Sequence, residues 1–249
     1  MNTIIFEQRG NSGILTFNRK ESYNAVNLEM MEELEKLFDN LKFRDEIVTL
    51  ILNGGDCKGF CAGLDMKTFG PEIFRMNTKE MYRAQMRLSR LLLKMRQIPQ
   101  PVIAAVHGSA AGLGFSFAMA SDIRIITQDA RFSAAYLNIG LGGADMASSY
   151  FLPRLIGAGR AYEFLLTGEW MSAEEAISLG FASKIVKKEN LIDEALRIAE
   201  IINSKNHLGI KMTKEAINIA LDVSSLESAL NLEDRNQVLL ILDRNIRKE

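Results

Sequence analysis

The segment from Val106 to Asp122, VHGSAAGLGFSFAMASD, constrains the fold more than any other part of the chain. It follows PVIAAV, an apolar run that predicts a buried strand, and its glycines predict a tight turn that opens into an apolar helix. The first N–H groups of a helix have no partner within the helix, so such a turn presents donors to negative charge. The sequence therefore predicts an α/β fold in which backbone amides form part of a site.

The glycine spacing does not fit a phosphate loop. The chain lacks GxxxxGK[ST], and GSAAGLG differs from the GxGxxG spacing of dinucleotide-binding turns. What remains is a pair of backbone donors, and paired donors suit an oxyanion. Between Gly112 and Asp122 there is no Glu, Lys or His that could act beside these donors. The acid or base of the site is therefore expected from another segment.

Charge and composition narrow the class of partner. Hydrophobic residues make up 47% of the 249 residues and charged residues 24%, which is ordinary for a chain with a buried core. The net charge is -1, with acids and bases interspersed, which argues against nucleic acid or an anionic membrane as partner. No apolar run approaches the about 20 residues that span a bilayer, and MNTIIFEQRGNSG lacks a signal-peptide pattern. We expect a cytoplasmic protein with a small-molecule or protein partner.

The cysteines and histidines do not form a metal-binding pattern. A reduced pair is the favoured interpretation of Cys57 and Cys61, because disulfides are uncommon in cytosolic enzymes. Two thiols cannot complete a structural zinc site without nearby histidines, and the chain has only His107 and His207. We expect no metal, and we interpret His107 as structural.

Strand, glycine-rich turn and helix occur twice in the first part of the chain. The turn RGNSG predicts an initial hairpin, Asn27 is placed to cap a helix, and VTLILNG leads through the loop DCKGFCAGLDM to a long helix over roughly 78–97. VIAAV, the second glycine-rich turn, its helix and DIRIIT repeat this pattern. From Leu191 onward the pattern is helical. The sequence predicts an α/β core over 1–188 and a helical segment over 189–249.

Four ordered segments resemble the crotonase (enoyl-CoA hydratase/isomerase) superfamily over most of the chain: NRKESYNAVN, GFCAGLDM, PVIAAVHGSAAGLGFSFAMASDIRI and LPRLIGAGRAYEFLLTGEWMSAEEAISLGFASKIV. The resemblance implies a crotonase-like spiral of ββα units with a C-terminal helical segment that builds trimers or dimers of trimers. It also implies an acyl-CoA thioester as substrate, with no cofactor beyond the coenzyme A of that substrate. The thioester oxygen would sit between the N–H groups of Leu64 and Leu113. Substrate contacts are implied at Ala25, Ala62, Gly63, Asp65, Gly112, Ser116 and Tyr136.

The resemblance also identifies two missing acids. Family hydratases use two glutamates to handle water, and the matching positions here are Ser116 and Tyr136. Neither a serine hydroxyl nor a tyrosine hydroxyl is a ready base at neutral pH. We therefore expect weak water addition, and the same replacement argues against isomerases that keep only the second glutamate.

One carboxylate remains in this region, Asp145 in GLGGADMASSYFLPRLIG. Its place is similar to that of a working aspartate in the dienoyl-CoA isomerases and the 4-chlorobenzoyl-CoA dehalogenase of the superfamily, although the spacing from Gly140 differs by one residue. Asp145 is interpreted as a catalytic carboxylate, which removes a proton to shift a double bond or attacks as a nucleophile, or as a helix N-cap, and one residue can have both roles. The sequence favours an enoyl-CoA isomerase or hydratase-like lyase, and the alternative is a protein that binds acyl-CoA without turnover.

Overall fold

The computed structural model describes residues 1–73, 75–223 and 225–246. Eight strands lie in these ranges: β1 (Ile4–Arg9), β2 (Ser12–Phe17), β3 (Thr49–Asn53), β4 (Val102–Val106), β5 (Ser109–Ala111), β6 (Ile123–Thr127), β7 (Arg131–Ser133) and β8 (Lys184–Val186). Six of them form one sheet in the order β1-β2-β3-β4-β6-β8, and β5 pairs with β7 in a second sheet. Only the β1/β2 hairpin is antiparallel among these pairs.

The parallel pairing follows from helical crossovers, which return the chain to the same edge before each new strand. The described ranges contain these helices: α1 (Leu28–Leu41), α2 (Met66–Ile73), α3 (Thr78–Gln97), α4 (Leu113–Ala120), α5 (Ser148–Ile156), α6 (Ala158–Thr167), α7 (Ala173–Ser178), α8 (Leu191–Asn203), α9 (His207–Ala220) and α10 (Leu226–Ile246). The predicted α/β class, with repeated ββα units and a helical C-terminal segment, is confirmed.

Local capping defines where several helices begin. The Asn27 side chain accepts the Met30 N–H at 2.9 Å at the start of α1, as the sequence predicts. Complete capping boxes start α3 at Asn77 and α7 at Ser172. These helix starts are therefore determined by the residues next to them.

Alternating side chains bury both faces of the sheet. In β3, Leu50 and Leu52 join the large core against α1, α3 and α4, whereas Ile51 points to the opposite face. That opposite face is covered by α8 through Leu191, Ala195 and Ala199. Helix α8 thus completes the core of the sheet, although it lies beyond the predicted division at residue 188.

Helices α9 and α10 form the outer part of the C-terminal segment. Helix α9 is attached to the core by the buried Lys214, whose Nζ donates to Gln100 O at 2.7 Å and contacts Asp122 Oδ2 at 2.9 Å. Helix α10 packs on α9 and leaves large apolar side chains exposed, namely Leu226, Leu230, Val238, Leu239, Ile241 and Leu242. No helix within the described ranges is long and apolar enough to cross a membrane. Residues 224 and 247–249 of the segment lie outside the described residues.

Helix α2 is an element that the sequence reasoning missed. The glycine and proline at 70 and 71 favour a loop, yet a helix runs from Met66 to Ile73 with the proline inside it. The helix is started by Asp65, whose Oδ1 accepts the Lys67 N–H at 3.2 Å and the Thr68 N–H at 3.3 Å. A local cap therefore prevails over the proline signal here.

Candidate active site

The two glycine-rich turns lie directly against each other. The N–H of Cys61 donates to Ser109 O at 3.2 Å, and the N–H of Ala111 donates to Cys61 O at 3.0 Å. Helix α4 approaches so closely that a Cβ atom on Gly114 would overlap the Cys61 carbonyl. Glycine is required at that position because any side chain would push the helix away. The start of α4 is therefore fixed against the loop that contains Leu64.

The backbone amides of Leu64 and Leu113 belong to these two turns. Gly63 adopts a φ of +97°, and a Cβ atom on it would lie 3.4 Å from the Leu113 nitrogen. Leu113 is the first residue of α4, so its N–H has no partner within the helix. Among the hydrogen bonds within the described part of the chain, neither the Leu64 nor the Leu113 N–H is a donor. The turns thus present two unused donors from adjacent loops.

The residues next to this loop differ in what they can offer a ligand. Asp65 is buried, and its Oδ2 lies 2.9 Å from Arg19 Nη2 in an ion pair. Ala25 is also buried, and its carbonyl accepts a hydrogen bond from the same guanidinium. Ala62 is exposed, while its N–H donates to Tyr23 O at 3.0 Å. Asp65 and Ala25 therefore shape the loop, and Ala62 lies open beside it.

Ser116 and Tyr136 are brought into contact. Ser116 Oγ lies 3.2 Å from the Tyr136 hydroxyl, and both residues are buried. The tyrosine ring lies over the second turn, because a Cβ atom on Gly112 would be 3.5 Å from Tyr136 Cε1. Burial raises the pKa of the Tyr136 hydroxyl, the charge of Asp145 adds to that rise, and the hydrogen bond with Ser116 opposes it. This pair is therefore uncharged at neutral pH.

Asp145 lies half-buried in the loop before α5. Its Oδ1 accepts one hydrogen bond from Gln85 Nε2 at 2.7 Å and another from the Met146 N–H at 2.8 Å. Burial raises the pKa of the Tyr136 hydroxyl, and the charge of Asp145 contributes to that rise. Asp145 is the carboxylate of this region that the sequence singles out once Ser116 and Tyr136 are set aside.

The carboxylate of Asp145 does not cap α5. That helix begins at Ser148 and is preceded by Ala147, at a φ of +62°, without a side-chain cap. Asp145 instead contributes backbone groups: its carbonyl accepts the Ser148 N–H at 2.9 Å, and its N–H donates to Ser148 Oγ at 3.1 Å. The N-cap interpretation is therefore wrong, because the helix starts three residues later.

Gln85 is the contact that the sequence reasoning missed. It lies in α3, 60 residues before Asp145 in the chain. An exposed glutamine in an amphipathic helix carries no local signal, so only the packing of α3 beside the α5 loop reveals it.

His107 and the cysteines have structural roles. His107 is 3% exposed, and its Nε2 lies 2.8 Å from Cys57 O. Burial lowers the pKa of this imidazole, which favours its neutral form. Both thiols are free, and burial raises the pKa of Cys61 to about 12, so it is not a ready nucleophile. Within the described ranges, no group of three or more His, Cys, Asp or Glu side chains could hold a metal ion.

Two cavities of about 720 and 800 Å³ lie near the C-terminal helices rather than between the glycine turns. The smaller one runs between α3, α5 and α9, and its wall includes Leu92, Ala147 and Phe151. Ala147 in this wall comes two residues after Asp145 in the chain. Neither cavity is lined by Leu64 or Leu113.

The chain folds as an α/β protein in which two glycine-rich turns pack against each other, and the Leu64 and Leu113 N–H groups in these turns donate to no other group in the described part of the chain. Residues 8–248 match the family model described as enoyl-CoA hydratase/isomerase. A protein from Mycobacterium bovis named probable enoyl-CoA hydratase echA12 is 36% identical over 92% of this chain and 81% of its own length. The 1,2-epoxyphenylacetyl-CoA isomerase of Escherichia coli (strain K12) is 34% identical over 88% of this chain and 82% of its own length.

A solved structure extends this likeness to three dimensions. The crystal structure of a probable enoyl-CoA hydratase/isomerase from Mycobacterium abscessus matches with a TM-score of 0.89 and 34% identity, covering 96% of this chain and 90% of that one. The chain belongs to the enoyl-CoA hydratase/isomerase family. It is an acyl-CoA enzyme of that family, which confirms the resemblance found in the sequence.

Proposed function

We propose that this enzyme shifts the double bond of an enoyl-CoA, with Asp145 as the base and with the thioester oxygen held by the Leu64 and Leu113 N–H groups. The observation that carries this proposal is the neutral Ser116–Tyr136 pair, in which Ser116 Oγ lies 3.2 Å from the Tyr136 hydroxyl, and burial together with the charge of Asp145 raises the pKa of Tyr136. With Ser116 and Tyr136 at the glutamate positions, the Asp145 carboxylate is the one group proposed to move protons, whereas a hydratase uses two. The E. coli relative is named for an isomerisation of a CoA thioester, although the group named there is an epoxide.

The proposed reaction needs one base and one site for negative charge. Asp145 removes a proton from C2 of a 3-enoyl thioester, and the electron pair spreads over the dienolate onto the thioester oxygen. The Asp145 carboxyl then returns a proton to C4, so the product is the 2-enoyl thioester with no atom gained or lost. A positioned base contributes about 10² to 10⁴-fold to such a rate.

The amides supply the charge stabilisation. A fixed N–H donor aimed at the developing oxyanion is worth about 10² to 10³-fold in rate. The N–H of Leu113 also lies at the positive end of the α4 dipole, which favours the enolate over the neutral thioester. Leu64 and Leu113 would therefore act through backbone groups, and their side chains would be free to shape the acyl pocket.

The hydroxyl pair supports isomerisation over hydration. Activation of water requires a group that accepts its proton, and a tyrosine whose pKa is raised by burial does not do so at neutral pH. Ser116 Oγ is already engaged with the Tyr136 hydroxyl. These two residues would line the acyl site, beside Ala25, Ala62, Gly63, Asp65 and Gly112 as further predicted contacts.

We also propose that the enzyme assembles as a trimer or a dimer of trimers, as the family resemblance implies. The support is the apolar surface of α9 and α10, where Ile217, Leu230 and Leu239 are each about half exposed. A monomer rarely leaves so much apolar surface in water. Contact between copies of this chain through α9 and α10 would bury this apolar surface.

A panel of substrates tests the proposed reaction. Purified protein is mixed with crotonyl-CoA, a 3-enoyl-CoA or a 3,5-dienoyl-CoA, and the absorbance of the conjugated enoyl thioester is followed. We expect the absorbance to change with an isomerisable substrate and to stay almost constant with crotonyl-CoA. Rapid loss of the crotonyl-CoA signal, or no change with any of the three, would contradict the proposal.

A further inference from the structure

We propose, on the basis of the proposed function, that Gln85 is a positioning residue that orients Asp145 for proton transfer. Its Nε2 donates to Asp145 Oδ1 at 2.7 Å and joins α3 to the loop before α5. The Met146 N–H donates to the same oxygen at 2.8 Å. Within the described ranges no hydrogen bond of the chain is made to Oδ2. The two donors thus fix one carboxylate oxygen and leave the other to accept a proton.

The backbone of this loop is already held by other contacts. Ser148 Oγ accepts the Asp145 N–H at 3.1 Å and bonds to Gly143 O at 3.2 Å. Met146 and Ala147 have φ values of +46° and +62°, a left-handed conformation that costs energy in residues other than glycine. The main chain at Asp145 is therefore fixed, and what remains free is rotation of the carboxylate. Gln85 is the side chain that limits that rotation.

The chemistry of glutamine suits this role. A base must be held without losing its affinity for a proton, and a neutral amide donor perturbs a carboxylate less than a cation does. Asp65 differs in this respect, because its carboxylate forms an ion pair with the Arg19 guanidinium and so has a structural role. Asp145 is instead held by two uncharged donors and makes no ion pair within the described ranges.

Kinetics of Gln85→Leu test the proposal. Gln85 is exposed, so the substitution is compatible with folding, and a melting curve checks this. We expect kcat on the isomerised enoyl-CoA to fall about 10- to 100-fold, the scale of one lost hydrogen bond to a charged acceptor. The KM should change less than about twofold, because Gln85 orients the base and does not contact substrate. Gln97→Leu, an identical change at the end of α3, serves as the control and should keep full activity.

A double-mutant cycle separates positioning from a general effect on structure. If Gln85 acts through Asp145, then Gln85→Leu should cause no further loss in an Asp145→Asn background. Equal losses in both backgrounds, or an unchanged kcat in Gln85→Leu, would overturn the role of Gln85 and leave the proposed function standing. Full activity in Asp145→Asn alone would overturn both, so the two failures are distinguishable.

Discussion

The hydroxyl groups of Ser116 and Tyr136 lie 3.2 Å apart, and each is buried against the other. They occupy the two positions at which the family resemblance places the glutamates of a hydratase. The pair has hydrogen-bonding capacity but no charge, because burial raises the pKa of Tyr136. The proposed function therefore assigns proton transfer to another group, Asp145, whose charge adds to the raised pKa of Tyr136.

Hydration of crotonyl-CoA should be very slow in the natural enzyme and should increase when both acids are restored. Each catalytic acid or base is worth about 10² to 10⁴-fold, so we expect Ser116→Glu with Tyr136→Glu to raise hydration at least about tenfold. The measurement is loss of the enoyl thioester absorbance. The control is the pair Ser116→Gln and Tyr136→Gln, which has similar size without the carboxylates. An equal gain in the glutamine variant would show that shape, and not acid–base chemistry, limits hydration.

Gly114→Ala should reduce both stability and activity, whereas Gly159→Ala should not. Both glycines are second residues of helices, in α4 and α6. A Cβ atom at Gly114 would overlap the Cys61 carbonyl, but at Gly159 it would meet nothing within 4 Å. Overpacking costs about 1–3 kcal/mol, while alanine in an open helix position is neutral or stabilising by up to about 1 kcal/mol.

Thermal unfolding and isomerase turnover of both variants are the measurements. Because the displaced α4 carries the Leu113 N–H, we expect turnover in Gly114→Ala to fall beyond what the loss of folded protein explains. Unchanged turnover in a stable Gly114→Ala protein would contradict the role of the Leu113 amide.

Stability should decrease as the pH falls below about 6.5, in part through His107. Burial lowers the pKa of this imidazole from its ordinary 6.5, so the unfolded chain binds the proton first. The contribution of neutral His107 to the free energy of unfolding is fully present above pH 6.5. It is lost as the pH falls toward the lowered pKa of His107 in the folded protein. Urea unfolding at pH 7.5 and at pH 5.5 measures the effect.

The His107→Gln protein should be less stable than the natural protein at both pH values. Its free energy of unfolding should also decrease less between pH 7.5 and pH 5.5. His207→Gln, a change at an exposed histidine, is the matched control. An identical pH dependence in His107→Gln and in the natural protein would contradict the contribution of His107.

The protein should sediment at micromolar concentration as three or six copies of the chain. The apolar side chains of α10 are the expected contact, so Leu239→Asp should shift the assembly toward the monomer. Ile5→Asp places the same charge at a similarly exposed residue of the edge strand β1 and should leave the assembly intact. A monomer in the natural protein would contradict the proposed assembly.

Local rules explain the parts of the fold that the sequence predicts well. The β-branched and apolar alternation of β2 to β4 determines which side chains point to each face of the sheet. The Asn27 cap and the turn at Gly112 likewise depend on neighbouring residues. For the same reason the free backbone amide at Leu113 is predictable from the sequence, because a glycine turn that opens a helix presents that donor wherever it occurs.

The parts that escape prediction depend on distant contacts. Helix α2 is the exception, because the local Asp65 cap starts it and the proline at position 71 favours a loop in its place. The bond between Gln85 and Asp145 depends on how α3 is rotated relative to a loop 60 residues away. The packing of α8 on the sheet is also non-local, since an amphipathic helix does not reveal which surface it covers. Side-chain pairing across elements is therefore what the structure adds to the sequence.

Turnover of a 3-enoyl-CoA by Asp145→Asn, measured at saturating substrate, tests the central claim most directly. Asparagine keeps the size of the side chain and an oxygen for the Gln85 and Met146 donors, but it cannot take the proton. We expect kcat to fall by at least about 10²-fold while the affinity for acyl-CoA stays within about threefold of the natural enzyme. Full turnover in Asp145→Asn would contradict the assignment of Asp145 as the base.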